Sequence, residues 1–480
     1  MRRSKLLILF IFYTFILIKG QAQPSSYASR IAMILQQMPS PNDSLKNISM
    51  KQLEKLGEPG LTALAMMTET GNLNVQYALH AYTGYVTAAL QDSARKTAVK
   101  AYCKALKLVK TIPAKTFLIN QLQLCGNDVA AVTIGPYLVQ EQLCDAAARA
   151  LIQIGGPVAK PTLVYALSKA KGNCRIALIN AIGELRYLSG LDAVTALANT
   201  KDLRQRRAAL MAIASLGNES SDSLLHAAAA KAGYVYDSSD ATAAYILFAQ
   251  RMAENWPQEP ARVIAARLLK ECRSHAQLPA RIAAMQIMVT VRFSDANRIL
   301  GDAAADADPA FRAAALRLAA RNMNAANTSY WIDRVPREKG AVKAGMLLLL
   351  GESRQRATTR VIQAALEDSD RVVKTAAIKA AGMLGNTTMI ASLVYEMNKA
   401  DSSTIFLIRD VLLTMRSKMV ASTAGISLQN KPPLMQIALL QVLAERKAEE
   451  MKSRVISLTE STNPAVRKEA EKTLKVLEDS

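Results

Sequence analysis

One segment type returns about every 31 residues along this chain, and that internal repetition limits the fold more than any other feature. The segment has an apolar opening residue, a basic residue, small residues, and then an aliphatic run closed by glycine or a polar side chain. It opens at Leu143, Cys174 and Gln205 (here polar), then at Ala280, Phe311, Val342, Val373 and Thr404, with Leu434 and Val466 one residue off the step. A unit this short cannot bury its apolar face alone, so it stacks on its neighbours, and a fixed period of this length predicts a solenoid. Half the residues are apolar and only 5% are aromatic, which suits closely packed helices that meet through small side chains.

Within the segments LCDAAARALIQIG (Leu143 to Gly155), FRAAALRLAARNM (Phe311 to Met323) and VKTAAIKAAGMLG (Val373 to Gly385), apolar residues fall three and four apart. That is the stripe of an amphipathic helix, not the alternation of a strand. Asp202, Asp308, Asp370, Asp401 and Asn463 stand three residues before opening positions, where their side-chain oxygens can take up the unpaired amides of a helix start. Pro309 and Pro464 follow two of them, in the first turn, where proline is tolerated. A glycine or asparagine turn and a shorter apolar stretch come next, as in Ile390 to Met397 after Asn386. Each period is therefore a helical hairpin.

The segments DPAFRAAALRLA (Asp308 to Ala319), DRVVKTAAIKAAGMLG (Asp370 to Gly385) and NPAVRKEAEKTLKVL (Asn463 to Leu477) resemble the short HEAT-like repeats of about 30 residues. The resemblance covers roughly residues 30 to 480 as 13 or 14 units and implies an all-α, armadillo-like superhelix. It also implies a partner-binding scaffold with one helix of each hairpin lining the concave face. Weaker units open near Leu45, Val75 and Ala114. In such repeats the basic residue after the opening position forms a ladder with an aspartate of the same or the next unit. Lys115, Arg175, Arg206, Arg281, Arg312, Lys343, Lys374 and Arg467 hold that position here. The implied ladder joins Asp202 with Arg206, Asp308 with Arg312, and Asp370 with Lys374.

Arg2, Arg3 and Lys5 precede the apolar run Leu6 to Ile18, and Gly20-Gln21-Ala22 follows. That run is too short to span a bilayer, which takes about 20 residues, so residues 1–22 read as a cleaved signal peptide. No second run is long enough to cross a membrane. The first cysteine is Cys103, far from the cleavage site, so a lipoprotein is not expected. The chain is expected to be exported, either periplasmic or secreted, with residues 23–480 as one solenoid. Five cysteines in an exported chain leave at least one outside an internal pair. Cys144 and Cys174 lie one repeat apart and can face each other in a disulfide; the alternative is five buried thiols acting as small hydrophobes.

The step is lost between Gln205 and Ala280, an interval longer than two regular units would use. We expect an irregular unit at about 218–279, with Tyr234, Tyr236 and Trp256 either as exposed binding anchors or as cover for a packing irregularity.

Nothing in the chain spells out catalysis. The three histidines, His80, His226 and His275, fall in different units, and no zinc-type or nucleophile motif is present. Acid pairs such as Asp306 and Asp308 fall in helix-end positions, where carboxylates cap. No cofactor or metal is expected, and the chain is read as a non-enzyme. Net charge is +21, or +17 once the signal segment is removed, which favours acidic partners. A second column of cations, Arg149, Arg317, Lys379 and Lys472, has no matching acid column. It can bind a protein or an anionic glycan along the concave face, or simply be solvated. Nucleic acid is disfavoured, because few aromatics are available for stacking. The competing reading is an accessory or regulatory part of a polysaccharide- or cofactor-processing enzyme system, with its site near Tyr236, Trp256 and His275.

Overall fold

A computed structural model describes residues 26–88 and 91–479, so the signal-peptide reading of 1–22 lies outside the described residues. Every regular element among the described residues is an α-helix or a short 3-10 turn, and none is long and apolar enough to cross a membrane. The chain divides into two compact units, Met1–Met252 and Ala253–Ser480, where the sequence period alone predicts one continuous run.

In the first unit the motif helices open at Asp43, Leu73, Ile112, Cys144, Gly172, Leu203 and Ala241. Those from Asp43 to Leu203 pack on one another in succession, and helices such as Asp92–Leu108, Asp128–Ile134 and Gly156–Leu167 form a second row. Leu53, Leu79, Leu118, Leu151 and Leu178 are fully buried in the core. In the second unit the motif helices open at Leu278, Pro309, Gly340, Arg371, Ser402, Pro433 and Pro464, with the same step from each to the next. The apolar face keeps the step as well: Met435, fully buried, stands on it between Thr404 and Val466, so the slip read at Leu434 is not one.

The irregular stretch contains three α-helices. Asp222–Lys231 and Ala241–Glu254 close the first unit, while Glu259–Glu271 packs on Leu278–Val291 in the second. Longer linkers at 232–240, 255–258 and 272–277 use up the surplus residues.

Helix starts are set by the residues that the sequence marks. Asp202 accepts from the amides of Arg204 and Gln205, Asp308 from Ala310 and Phe311, Asp370 from Val372, Asp401 from Thr404, and Asn463 from Ala465 and Val466. Hydrogen bonds from Thr404, its side chain first and then its amide, and from Ser403 hold the Asp401 carboxyl down at about 2. An unfolded aspartate titrates near 3.9, so this cap contributes stability above about pH 4 that is lost as pH falls through about 2. Asp401→Asn keeps a capping oxygen that does not titrate. Its melting temperature is expected to lie below wild type at pH 7 and to converge on it between pH 4 and pH 2, as followed by circular dichroism.

Two glycines set the closest helix contacts. A Cβ on Gly183 would lie 2.8 Å from the Cα of Ala212, and one on Gly351 would lie 2.6 Å from the Cα of Ala380. In both places backbone meets backbone between successive motif helices, so no side chain can move aside. Gly351→Val is expected to destabilise the second unit by about 2–3 kcal/mol, read as a lower urea midpoint.

Candidate functional site

The three implied pairs, Asp202 with Arg206, Asp308 with Arg312 and Asp370 with Lys374, are not made by these side chains. Arg206 donates to the carbonyl of Thr200 at 2.7 Å, Arg312 to those of Asp306 and Ala307, Arg175 to Ala170, and Arg467 to Ser461. Asp202, Asp308 and Asp370 are occupied by the amides of their own helices, so the cation reaches back to the carbonyls of the loop that precedes the helix. Three of the basic residues after opening positions pair with other acids of their own repeat: Arg281 with Asp306, Lys343 with Asp368 at 2.6 Å, and Lys374 with Glu396 at 3.0 Å. Lys115 lies over the ring of Tyr137 instead.

The second column is not uniform. Arg149 pairs with Asp145 one turn earlier on its own helix, and Lys472 lies 3.9 Å from Glu469. Arg317 and Lys379 are exposed and form no ion pair among the described residues. Of the four, Lys379 lies in a cleft.

That cleft, of about 720 Å³, crosses the ends of three successive motif helices in the second unit. Arg354 comes from the loop after Gly340–Glu352; Lys379, Gly382, Met383 and Gly385 come from Arg371–Leu384 and its end; Val411, Met415, Arg416 and Ser417 come from Ser402–Thr414 and its end. The lining includes three cations and no carboxylate. Arg354, Lys379 and Arg416 are exposed and form no ion pair among the described residues. Gly385 ends its helix at φ 64°, and Arg354 holds φ 52° at the equivalent place one repeat earlier, a left-handed conformation that glycine adopts far more readily. Behind the cleft, Arg446 of the next repeat donates to the carbonyls of Leu412 at 2.6 Å and Ser417 at 3.3 Å. It covers the carbonyl end of Ser402–Thr414 and adds a positive charge under that wall.

A second cleft in the same unit, of about 360 Å³, is lined by Arg273, Arg281, Arg292 and Arg298 but also by Asp302 and Asp306. Arg281 is buried there over the ring of Phe311, at 4.0 Å, and paired with Asp306, so its charge is already neutralised.

The aromatics of the irregular stretch separate. Tyr234 is buried, its hydroxyl 2.9 Å from Nε2 of His226, so it is part of the core of the first unit and not a binding anchor. Tyr236 is exposed in the first unit and Trp256 in the second. His275 is exposed and lies 3.5 Å from Asp308, a cap already held by two amides. Among the described residues no group of histidine, cysteine and acidic side chains is placed to hold a metal ion.

Cys144 is bonded to Cys174, with Cα atoms 5.3 Å apart at the starts of adjacent motif helices. Cys103, Cys125 and Cys272 are free and buried; burial pushes the Cys125 thiol up to about 12 and the Cys272 thiol up to about 11, which keeps both unreactive at neutral pH.

Stacked helical hairpins with capped starts make each unit an α-solenoid, the fold that the resemblance to HEAT-like repeats implies. No family model matches the chain, and no curated protein does. Similar solved structures include the karyopherin Kap121p bound to the extreme C-terminus of the protein phosphatase Cdc14p, at 11% identity and a TM-score of 0.46. That likeness covers 95% of this chain and 57% of Kap121p, so the chain spans a little over half of that protein's length. Kap121p bound to the SUMO protease Ulp1p gives 12% and 0.37 over 95% of this chain and 53% of that one. Human deoxyhypusine hydroxylase gives 12% and 0.24 over 74% of this chain and 97% of that one. The fold assignment stands on the hairpins themselves.

Proposed function

We propose that this chain is a non-enzymatic binding scaffold that holds anionic groups of a partner on the motif-helix ends of its second unit. The observation that carries this is the cleft of Arg354, Lys379 and Arg416, three cations with no carboxylate in the lining. Water leaves such a cluster with unbalanced charge, and an anionic partner balances it. We further propose that the chain is exported, to the periplasm or the medium. The basic and apolar start of the sequence supports this, as does the Cys144–Cys174 bond, which persists in oxidising compartments. Mass spectrometry of the exported chain tests that part, and a mature start near Gln23 is the expected result.

Binding is tested with fluorescent polyglutamate and oligogalacturonate on the full mature chain at low and at high salt. Binding of at least one probe is expected to weaken with salt and to fall by about tenfold or more in an Arg354→Glu/Arg416→Glu variant. Binding that ignores both changes would overturn this reading.

A further inference from the structure

Arg354, Gly385 and Arg416 hold the same place in three successive repeats, each one full period after the last. The outer two carry long cations and the middle one carries no side chain, so the centre of the cleft is open between two charged posts. The spacing of those posts follows from the stacking. Adjacent helices lie about 8–10 Å apart, which puts positions two repeats apart at about 16–20 Å. An extended peptide advances about 3.3 Å per residue, so five or six residues cover that span.

Between the posts the surface is made of Met383, Val411, Thr414 and Ser417, with Lys379 beside them and the buried Met415 beneath. No aromatic ring lines the cleft, so neither a sugar ring nor a nucleobase has a face to stack on. Methionine and valine with small hydroxyls instead suit an apolar side chain flanked by peptide groups. The carbonyl end of Arg371–Leu384 also faces this region and carries about half a negative charge. Three full positive charges on the lining, with Arg446 behind the wall, outweigh it.

We propose, on the basis of the anion-binding reading above, that the cleft measures an acidic peptide. The ligand is an extended segment with carboxylates five or six residues apart, one on Arg354 and the other on Arg416, and an apolar residue between them over Met383 and Val411. Lys379 meets the backbone carbonyls or a third acid near the middle. Gly385 is the position that permits this, because a side chain there would stand in the path of the peptide.

The test is fluorescence anisotropy on the full mature chain with three probes. One is a nine-residue peptide with glutamates at positions 2 and 7 and leucine at 5. The second has the same composition with its glutamates at 2 and 4, and the third is an oligogalacturonate. We expect the wide-spaced peptide to bind about tenfold or more tightly than its permutation. Arg354→Glu and Arg416→Glu should each weaken it by about tenfold, while Arg317→Glu, an exposed cation outside the cleft lining, should leave it unchanged. Far-ultraviolet circular dichroism of each variant checks that the helices are intact. Equal affinity for the two peptides would overturn the ruler and leave the anion-binding reading standing. Binding of the oligogalacturonate alone would replace the peptide with a glycan. Binding of none of the three would overturn both readings.

Discussion

Trp331→Ala is expected to lower the stability of the second unit by about 3–5 kcal/mol, a larger loss than a bulky side chain at Gly351 should cause. Trp331 is 1% exposed and is the bulkiest side chain in the core of that unit. It sits in Thr328–Arg334, a helix too short to persist without tertiary contacts, and meets Tyr330 edge to face at 5.4 Å between ring centres. The Tyr330 hydroxyl in turn accepts from Arg334 at 2.8 Å, and Arg334 pairs with Asp302 and Glu338, both at 3.0 Å. Removing the indole leaves a cavity and loosens the support of that polar network. A domain of this kind has only about 5–15 kcal/mol in total, so the loss should bring the urea midpoint down steeply. Trp331→Phe keeps a ring and should cost less than half as much. Equal losses for Phe and Ala would show that the indole nitrogen end, and not packing volume, carries the effect.

The double variant Cys144→Ala/Cys174→Ala is expected to destabilise the first unit by about 3–4 kcal/mol, the chain-entropy value for a loop closed across a sequence separation of 30. Both sulfurs belong to residues only 2% exposed, so reductant alone should act slowly on the folded chain and quickly once the repeat opens. Thermal melts then have a definite pattern. Wild type with reductant should fall to the melting temperature of the double variant, and the double variant should not respond to reductant. A double variant as stable as wild type would mean that adjacent-helix packing alone holds these two repeats.

The parts of the fold that repeat were legible in the sequence, because the same physical requirement recurs at each step. Aspartates and an asparagine mark the starts of several motif helices, and the starts from Leu278 to Pro464 keep a constant step, as do the buried Met435 and Val466 behind them. Between Gln205 and Ala280 only the step was hidden, because longer linkers change the interval without removing the helices Ala241–Glu254 and Glu259–Glu271. Partner choice was harder to read than element type. Asp202, Asp308 and Asp370 are equally suited to a cap or to an ion pair, and only the backbone decides that the cap wins. Exposure was similarly silent for Tyr234, which turns inward to His226 while Tyr236 turns out. The cleft is also marked in the sequence, by Lys379 on its helix and by the loops that follow successive motif helices. The period carried through those loops aligns Arg354, Gly385 and Arg416, a glycine between two arginines at one template position.

The unbroken step in the second unit also says how such a surface can be rewritten. Residues 371–401 form one whole period that ends on Asp401, and the period before it ends on Asp370. Excising that period joins Asp370 directly to Ser402, so one aspartate takes over the cap of the other and the chain passes on in phase. Arg354 and Arg416 then become neighbours, one step apart instead of two. Gain or loss of whole periods thus changes the distance between charged posts in fixed increments while leaving every helix start intact. A lineage of such chains could retune its ligand by copy number alone, with no point substitution at the surface that binds.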